Sequence, residues 1–425
     1  MSTLSFDYEW LEPDGGDGPE VEATFARLRI KVGESVVTEA EHKRSRSVTD
    51  RIEVPLYPLA EWIAANWWCL TCESAVLGRE WYDRRHSMKS AGYGYVYPDL
   101  TLSLEGVNTL LAWKPREHAY ANLRYLSAGS ERVSTAAIAE TLADFIEAVC
   151  ERLRDQDVRE SWLQTEWEAV QTSGGKPDER EFCVVAGWLG LDPYELSDAD
   201  AESMIHAARQ LPAEVKEDTL RSVTLSEARD LAAWIDAARN TPARNVSRSR
   251  LEAARNVVHS VVNAEHAWAA GYKLAREVRA LWGLSDARAC LRDVFCDEPP
   301  VEELPGAPVN VDGLVNLGDS AVIVTSKRRE ESRRFLVARA ISELLTGRGT
   351  WTLLTSVHTE RQQLSRAFAA EFLAPADAIV KRLPARRYLV NEDIVELAEY
   401  FQVSTKVIQH QVENHGLATI AAHVA

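Results

Sequence analysis

Metal binding and acid–base chemistry need His, Cys, Asp or Glu side chains that neighbouring turns can present together. The ten histidines stand at 42, 86, 118, 206, 259, 266, 358, 410, 415 and 423, and no two are four apart, so an HExxH zinc helix is absent. Cys69 and Cys72 have ligand-like spacing. No second CxxC or CxxH lies nearby, however, and Trp67 and Trp68 before them point to a buried helix. RRHSM (84–88) offers one histidine and two arginines at a polar loop, a pattern read as hydrogen-bonded structure. His358 and Glu360 in SVHTER, with Glu371 downstream, form one loose set able to hold a metal or move a proton. No GxxxxGK(S/T), GxGxxG or GxSxG occurs, which removes both phosphate-loop classes and the common esterase elbow.

Charge narrows the partners. Lys and Arg number 48 against 65 Asp and Glu, a net charge of −17 that opposes attraction to DNA, RNA or anionic lipid except where bases cluster. Two runs do cluster. SKRREESRR (326–334) makes Lys327, Arg328, Arg329 and Arg333 candidates for contacting an anion, although Glu330 and Glu331 dilute it. NTPARNVSRSR (240–250) supplies Arg244, Arg248 and Arg250, with Arg255 just beyond, and its polar, Pro-containing composition marks a linker. Asp7 to Glu22 holds seven acids and no base, and reads as a solvated edge.

The elements that must position these groups change character along the chain, and 425 residues suffice for two or three domains. TFARLRIKV (24–32), RIEVPLY (51–57), GYVYPDLTLSLEG (94–106) and TLLAWKP (109–115) alternate as half-buried strands do. LAEWIAANWWCL (59–70) has helical spacing, and a long helix begins at Ser134 or Thr135 and runs to about residue 155. Residues 156–260 are almost wholly helical in pattern, with Ser197 and Asp200 set as a helix cap. The expected fold is α+β and mostly helical, with an α+β domain at 1–155, a helical middle domain at 156–255 and a third domain at 256–425. Six cysteines are too few for a disulfide framework. The start MSTLSFDYEWLEPDGG has no basic or apolar leader, AAHVA carries no lipidation signal, and no run of about 18 apolar residues occurs. A cytoplasmic protein without membrane attachment is therefore expected.

The stretch RRFLVARAISELLTGRGTWTLLTSVHTERQQLSRAFAAEFLAP (333–375) resembles the ImmA/IrrE family of zinc metallopeptidase-like domains, in which a helix RFxxAHExxHxLL is followed by a helix ExxANxFAAxLLMP. Arg334, Phe335, Ala338, Leu344 and Leu345 match the first helix. Phe368, Ala369, Ala370, Leu373 and Pro375 match the second. GYKLAREVRALWGL looks like the family's leading helix and NEDIVELAEYFQVSTKVIQHQVENHGL (391–417) like its closing helices, so the likeness covers roughly 265–420. It implies a zincin-like third domain of a kind that acts in stress and mobile-element regulation by cutting or controlling repressors.

At the metal positions the likeness fails. Arg339, Ala340 and Glu343 stand where the family has His, Glu and His, and Gln362, Gln363 and Leu364 fall where it has an acidic third ligand. Guanidinium cannot ligate zinc, and alanine cannot take a proton from metal-bound water. Arg339 and Glu343 are four apart, so an ion pair between them is expected in place of the metal. The resemblance thus implies a degenerate, cofactor-free groove shaped by Arg339, Ala340, Glu343, Gln362, Leu364 and Glu371, used to bind a protein partner such as a regulator, effector or defence component. Two rivals stand beside it: an active hydrolase built on His358, Glu360 and Glu371, and a nucleic-acid-binding regulator or subunit of a nucleoprotein defence complex using the two basic runs.

Overall fold

The computed structural model describes residues 3–12, 18–76, 81–119, 121–245, 249–261, 266–284, 286, 288–295, 297–316, 318, 320–347, 350–383 and 388–421. Arg248, Cys296 and residues 13–17 of the acidic stretch lie outside them. The fold is mostly helical α+β with several small sheets, and the chain divides into two compact units, 1–208 and 209–425.

In the first unit, alternation becomes burial. Phe25–Val32 turns every second side chain inward, and pairs with Leu4–Trp10 on one side and Ile52–Pro55 on the other. Leu4–Trp10 is a strand that the acidic composition concealed. Its acids face arginines across the ladder, Asp7 opposite Arg29 and Glu9 opposite Arg27, so they belong to a cross-strand ion-pair row. A second three-stranded sheet joins Gly129–Ser134, Asn108–Lys114 and Asp99–Glu105. The helix Thr135–Asp155 packs Phe145, Ile146 and Val149 into one core with Leu28, Ile63, Leu100 and Leu111. Leu163, Trp167 and Val170 join that same core, and Trp167 meets Trp67 edge to face at 4.9 Å. Those contacts place the first half of the 156–255 stretch with the first unit, and the stretch is divided between the two units.

The second unit is built around a central helix, Glu330–Thr346, in which ten consecutive residues from Leu336 to Leu345 are buried. A helix buried all round must be wrapped on every side. A four-stranded sheet, in the order Val301–Glu303, Val322–Thr325, Val311–Asn316 and Trp351–Thr355, covers one side. The second helix, Glu360–Leu373, and the helix Ser249–Val261 pack on the central helix directly, the leading helix, Ala267–Leu281, packs on the second helix, and the closing helices, Asn391–Phe401 and Thr405–Asn414, join the same core. Leading and second helices approach closely at Gly271, where a Cβ would lie 2.4 Å from the Leu364 carbonyl oxygen. A flanking helix, Ala213–Ser222, packs on Trp351–Thr355, the strand at the edge of the sheet. The segment read as a linker is pinned in part, since Arg244 and Ala321 exchange backbone hydrogen bonds of 2.9 and 2.8 Å. Among the described residues, no helix is long and apolar enough to cross a membrane.

Candidate functional site

The central helix delivers Arg339 into the seam between the second helix and the sheet, where it is 1% exposed. A guanidinium there must have its N–H groups satisfied or lose several kcal/mol of hydration, of order 3–5 when one partner of a buried pair is missing. Nη1 donates to Asp312 Oδ2, Nη2 to the Thr355 carbonyl oxygen at 3.1 Å and to Gln362 Oε1, and Nε to Ser365 Oγ at 3.2 Å. Burial pulls this guanidinium below the usual arginine value, against the opposing pull of Asp312.

Gln362 is equally occupied. Its Oε1 accepts from the Thr355 amide at 3.0 Å and its Nε2 donates to the Leu353 carbonyl at 2.7 Å, so the carboxamide pairs with the free side of the edge strand as a neighbouring peptide unit would. The second Nε2 hydrogen goes to Asp218 Oδ2 at 3.0 Å, on the flanking helix. Asp218 also accepts from Arg361, and its Oδ1 accepts from Thr359 Oγ at 3.2 Å. Each Gln362 amide atom therefore meets only groups of the opposite hydrogen-bonding sense, which fixes the orientation of the amide.

Residues 303–413 match the family model Peptidase_M78, described as the IrrE N-terminal-like domain. The chain carries an IrrE-like domain. No curated protein and no solved structure matches the chain.

The residues of the IrrE-like domain do not fit a zinc ion of the kind the resemblance implies. Arg339 fills the seam with a positive charge whose donors are already engaged, Ala340 offers only a methyl group, and Gln362 has no lone pair turned to open space. Among the described residues, no three His, Cys, Asp or Glu side chains gather in a group able to hold a metal. The expected Arg339–Glu343 ion pair is replaced by one between Arg339 and Asp312. Arg before Glu at this spacing is the less favourable order on a helix, and the guanidinium reaches across to the sheet instead. Glu343 is 1% exposed and its Oε2 has no hydrogen-bond partner. Burial raises its carboxyl to about 7, with Arg361 and Arg339 pulling it down and Asp218 pushing it up.

Glu371 belongs to a different place. It lies nine residues beyond Gln362, roughly 13 Å along the helix, and faces the leading and closing helices. Arg276 Nε donates to its Oε1 at 2.8 Å, Gln411 Nε2 to its Oε2 at 2.8 Å, and His415 Nε2 lies 3.5 Å away. Burial would raise this carboxyl, but His415, Arg276 and Gln411 outweigh it and hold it at about 2. Leu364 is half-buried against the core. His358 and Glu360 are exposed at the start of the second helix, far from buried Glu371, so the loose triad is not assembled.

Four of the eight basic candidates pair with acids of the same unit. Lys327 Nζ lies 3.2 Å from Asp312 Oδ1, and Arg328 and Arg333 both pair with Glu303, while Arg329 is exposed. Arg244 pairs with Glu302, and Arg255 donates to the Leu344 carbonyl at 3.3 Å. In the first unit, His86 is fully buried between the Leu102 carbonyl at 2.8 Å and Glu73 at 3.0 Å, the structural role expected for RRHSM. Cys69 is a buried free thiol whose Sγ lies 3.7 Å from the Leu191 carbonyl.

Asp312 and Asp218 escaped the sequence reading. Asp218 did leave a signal, because Val215, Asp218, Thr219 and Ser222 share one helix face and that face is buried. An acid on an inward face needs a cation or donor beneath it.

Proposed function

We propose that this chain is a catalytically inactive IrrE-like protein that works in the cytoplasm as a regulator or scaffold, binding a protein partner in stress, toxin–antitoxin or mobile-element defence. The observation that carries the reading is the Arg339 guanidinium, 1% exposed and hydrogen-bonded at all three nitrogens, at the position where the family's motif begins its metal site. Without a metal-held water or a base at Ala340, the domain has no means to hydrolyse a peptide by the family's chemistry. What is left is an acidic scaffold. The net charge of −17 and the pairing of Lys327, Arg328, Arg333 and Arg244 with carboxylates favour polypeptide over polynucleotide as the partner.

Purifying the tagged full chain from its native cells, with and without nuclease treatment, tests the reading. A co-purifying protein that remains intact and survives nuclease supports it. A partner lost on nuclease treatment favours the nucleoprotein alternative, and a partner that is cut favours an active hydrolase.

A further inference from the structure

We propose that the Arg339 guanidinium does the cross-linking work of a metal ion in this domain, with Asp312, Gln362 and Asp218 as its surrounding shell. The inference rests on the reading above that zinc is not held here.

A structural metal stabilises a domain by gathering donors from separate elements and carrying the positive charge that balances them. Arg339 reproduces both features with the polarity of each bond reversed. From the central helix its N–H groups reach Asp312 on one strand, Thr355 on the edge strand, and Gln362 and Ser365 on the second helix. Four elements meet at one cation. Gln362 passes the link to a fifth, the flanking helix, through Asp218. That helix lies outside the segment matched to the family model.

The cations at this seam already have carboxylate partners: Arg339 contacts Asp312, which Lys327 shares, and Arg361 contacts Asp218. Glu343, buried and without a partner for Oε2, is accommodated most cheaply as the neutral acid. A divalent cation added to this set would be an uncompensated buried charge and would have to displace a guanidinium already in place.

Three forms of the full chain test the proposal: wild type, Arg339→Met, and the combined variant Arg339→His, Ala340→Glu, Glu343→His and Gln362→Glu. Thermal unfolding is followed with chelator and with zinc, and cobalt(II) absorption reports tetrahedral ligation. Wild type is expected to unfold at the same temperature in both conditions. Arg339→Met, which keeps the stem and removes the charge and donors, should lower Tm by about 10 °C in a way zinc does not restore. The combined variant should regain stability only with zinc and show tetrahedral cobalt bands. An unchanged Tm for Arg339→Met, or a combined variant that gains nothing from zinc, overturns the proposal while leaving inactivity intact. Wild-type protein that loses stability to chelator overturns both.

Discussion

The Arg339 guanidinium donates through Nη2 to the carboxamide oxygen of Gln362, joining the central and second helices of the IrrE-like domain. Here the two side chains satisfy one another. The amide also pairs with Leu353, Thr355 and Asp218. Gln362→Leu is nearly isosteric but leaves those groups and Arg339 short of a partner. With roughly 1–3 kcal/mol for each buried group left unsatisfied, the variant should lose about 3–5 kcal/mol. Urea unfolding of the variant beside wild type measures this, and a loss under about 1 kcal/mol would show that the amide is not needed.

Glu343 gives the domain a pH dependence with a definite sign. Its carboxyl sits at about 7 in the folded chain, above the ordinary 4.5, chiefly because of burial. The unfolded chain therefore releases the proton first as pH rises. The stability held by the neutral acid is complete below about 4.5, declines between 5 and 7, and is gone above the folded value, a change of about 3 kcal/mol. Glu166 in the first unit, also raised to about 7 by burial with Asp192 and Glu195 adding to it, has the same sign. The readout is consequently the difference between wild type and Glu343→Gln in urea midpoint from pH 5 to 8, and the variant should show the shallower slope.

Glu73 in the first unit holds Arg85 at 2.8 Å through Nε and His86 at 3.0 Å through Nε2. Burial opposes its ionisation, but the hydrogen bonds from Arg85 and His86 bring it to about 2. Glu73→Ala strips a buried histidine and a half-buried arginine of their acceptor and should cost about 3–5 kcal/mol. Hydrogen exchange across residues 73–105 should accelerate in the variant. Gly190, at φ +72°, sits against this cluster, and a Cβ there would lie 2.5 Å from Glu73 Oε1, so Gly190→Ala should speed the same amides.

Direct binding to DNA or RNA is expected to be absent near physiological salt, because the net charge is −17 and Lys327, Arg328, Arg333 and Arg244 are paired with acids. A mobility-shift titration at two salt concentrations checks this. Retardation that weakens steeply with salt would return the exposed Arg329 to consideration.

Periodicity made much of the scaffold legible. Phe25–Val32, Asn108–Lys114 and Thr135–Asp155 fall where alternation or helical spacing placed them, and Ser197 accepts from the Asp200 amide at 3.2 Å as its cap. Leu4–Trp10 did not show itself, because its outward acids are matched by arginines some twenty residues away, a pairing that a local reading cannot see. Arg339 and Gln362, which motif spacing singled out, do meet, but their partners Asp312 and Asp218 come from a strand and a flanking helix distant in sequence. Sequence also placed Glu371 in the same groove, since spacing along a helix does not tell which neighbour each face will meet.

Zinc content distinguishes a seam filled by the Arg339 guanidinium from one that holds a metal ion. The full chain, purified in the presence of zinc and freed of loose ions, should carry far less than one zinc atom per chain by elemental analysis and should leave peptide substrates intact. One firmly held zinc per chain, with peptide cleavage that disappears in Glu343→Gln, would contradict the filled seam.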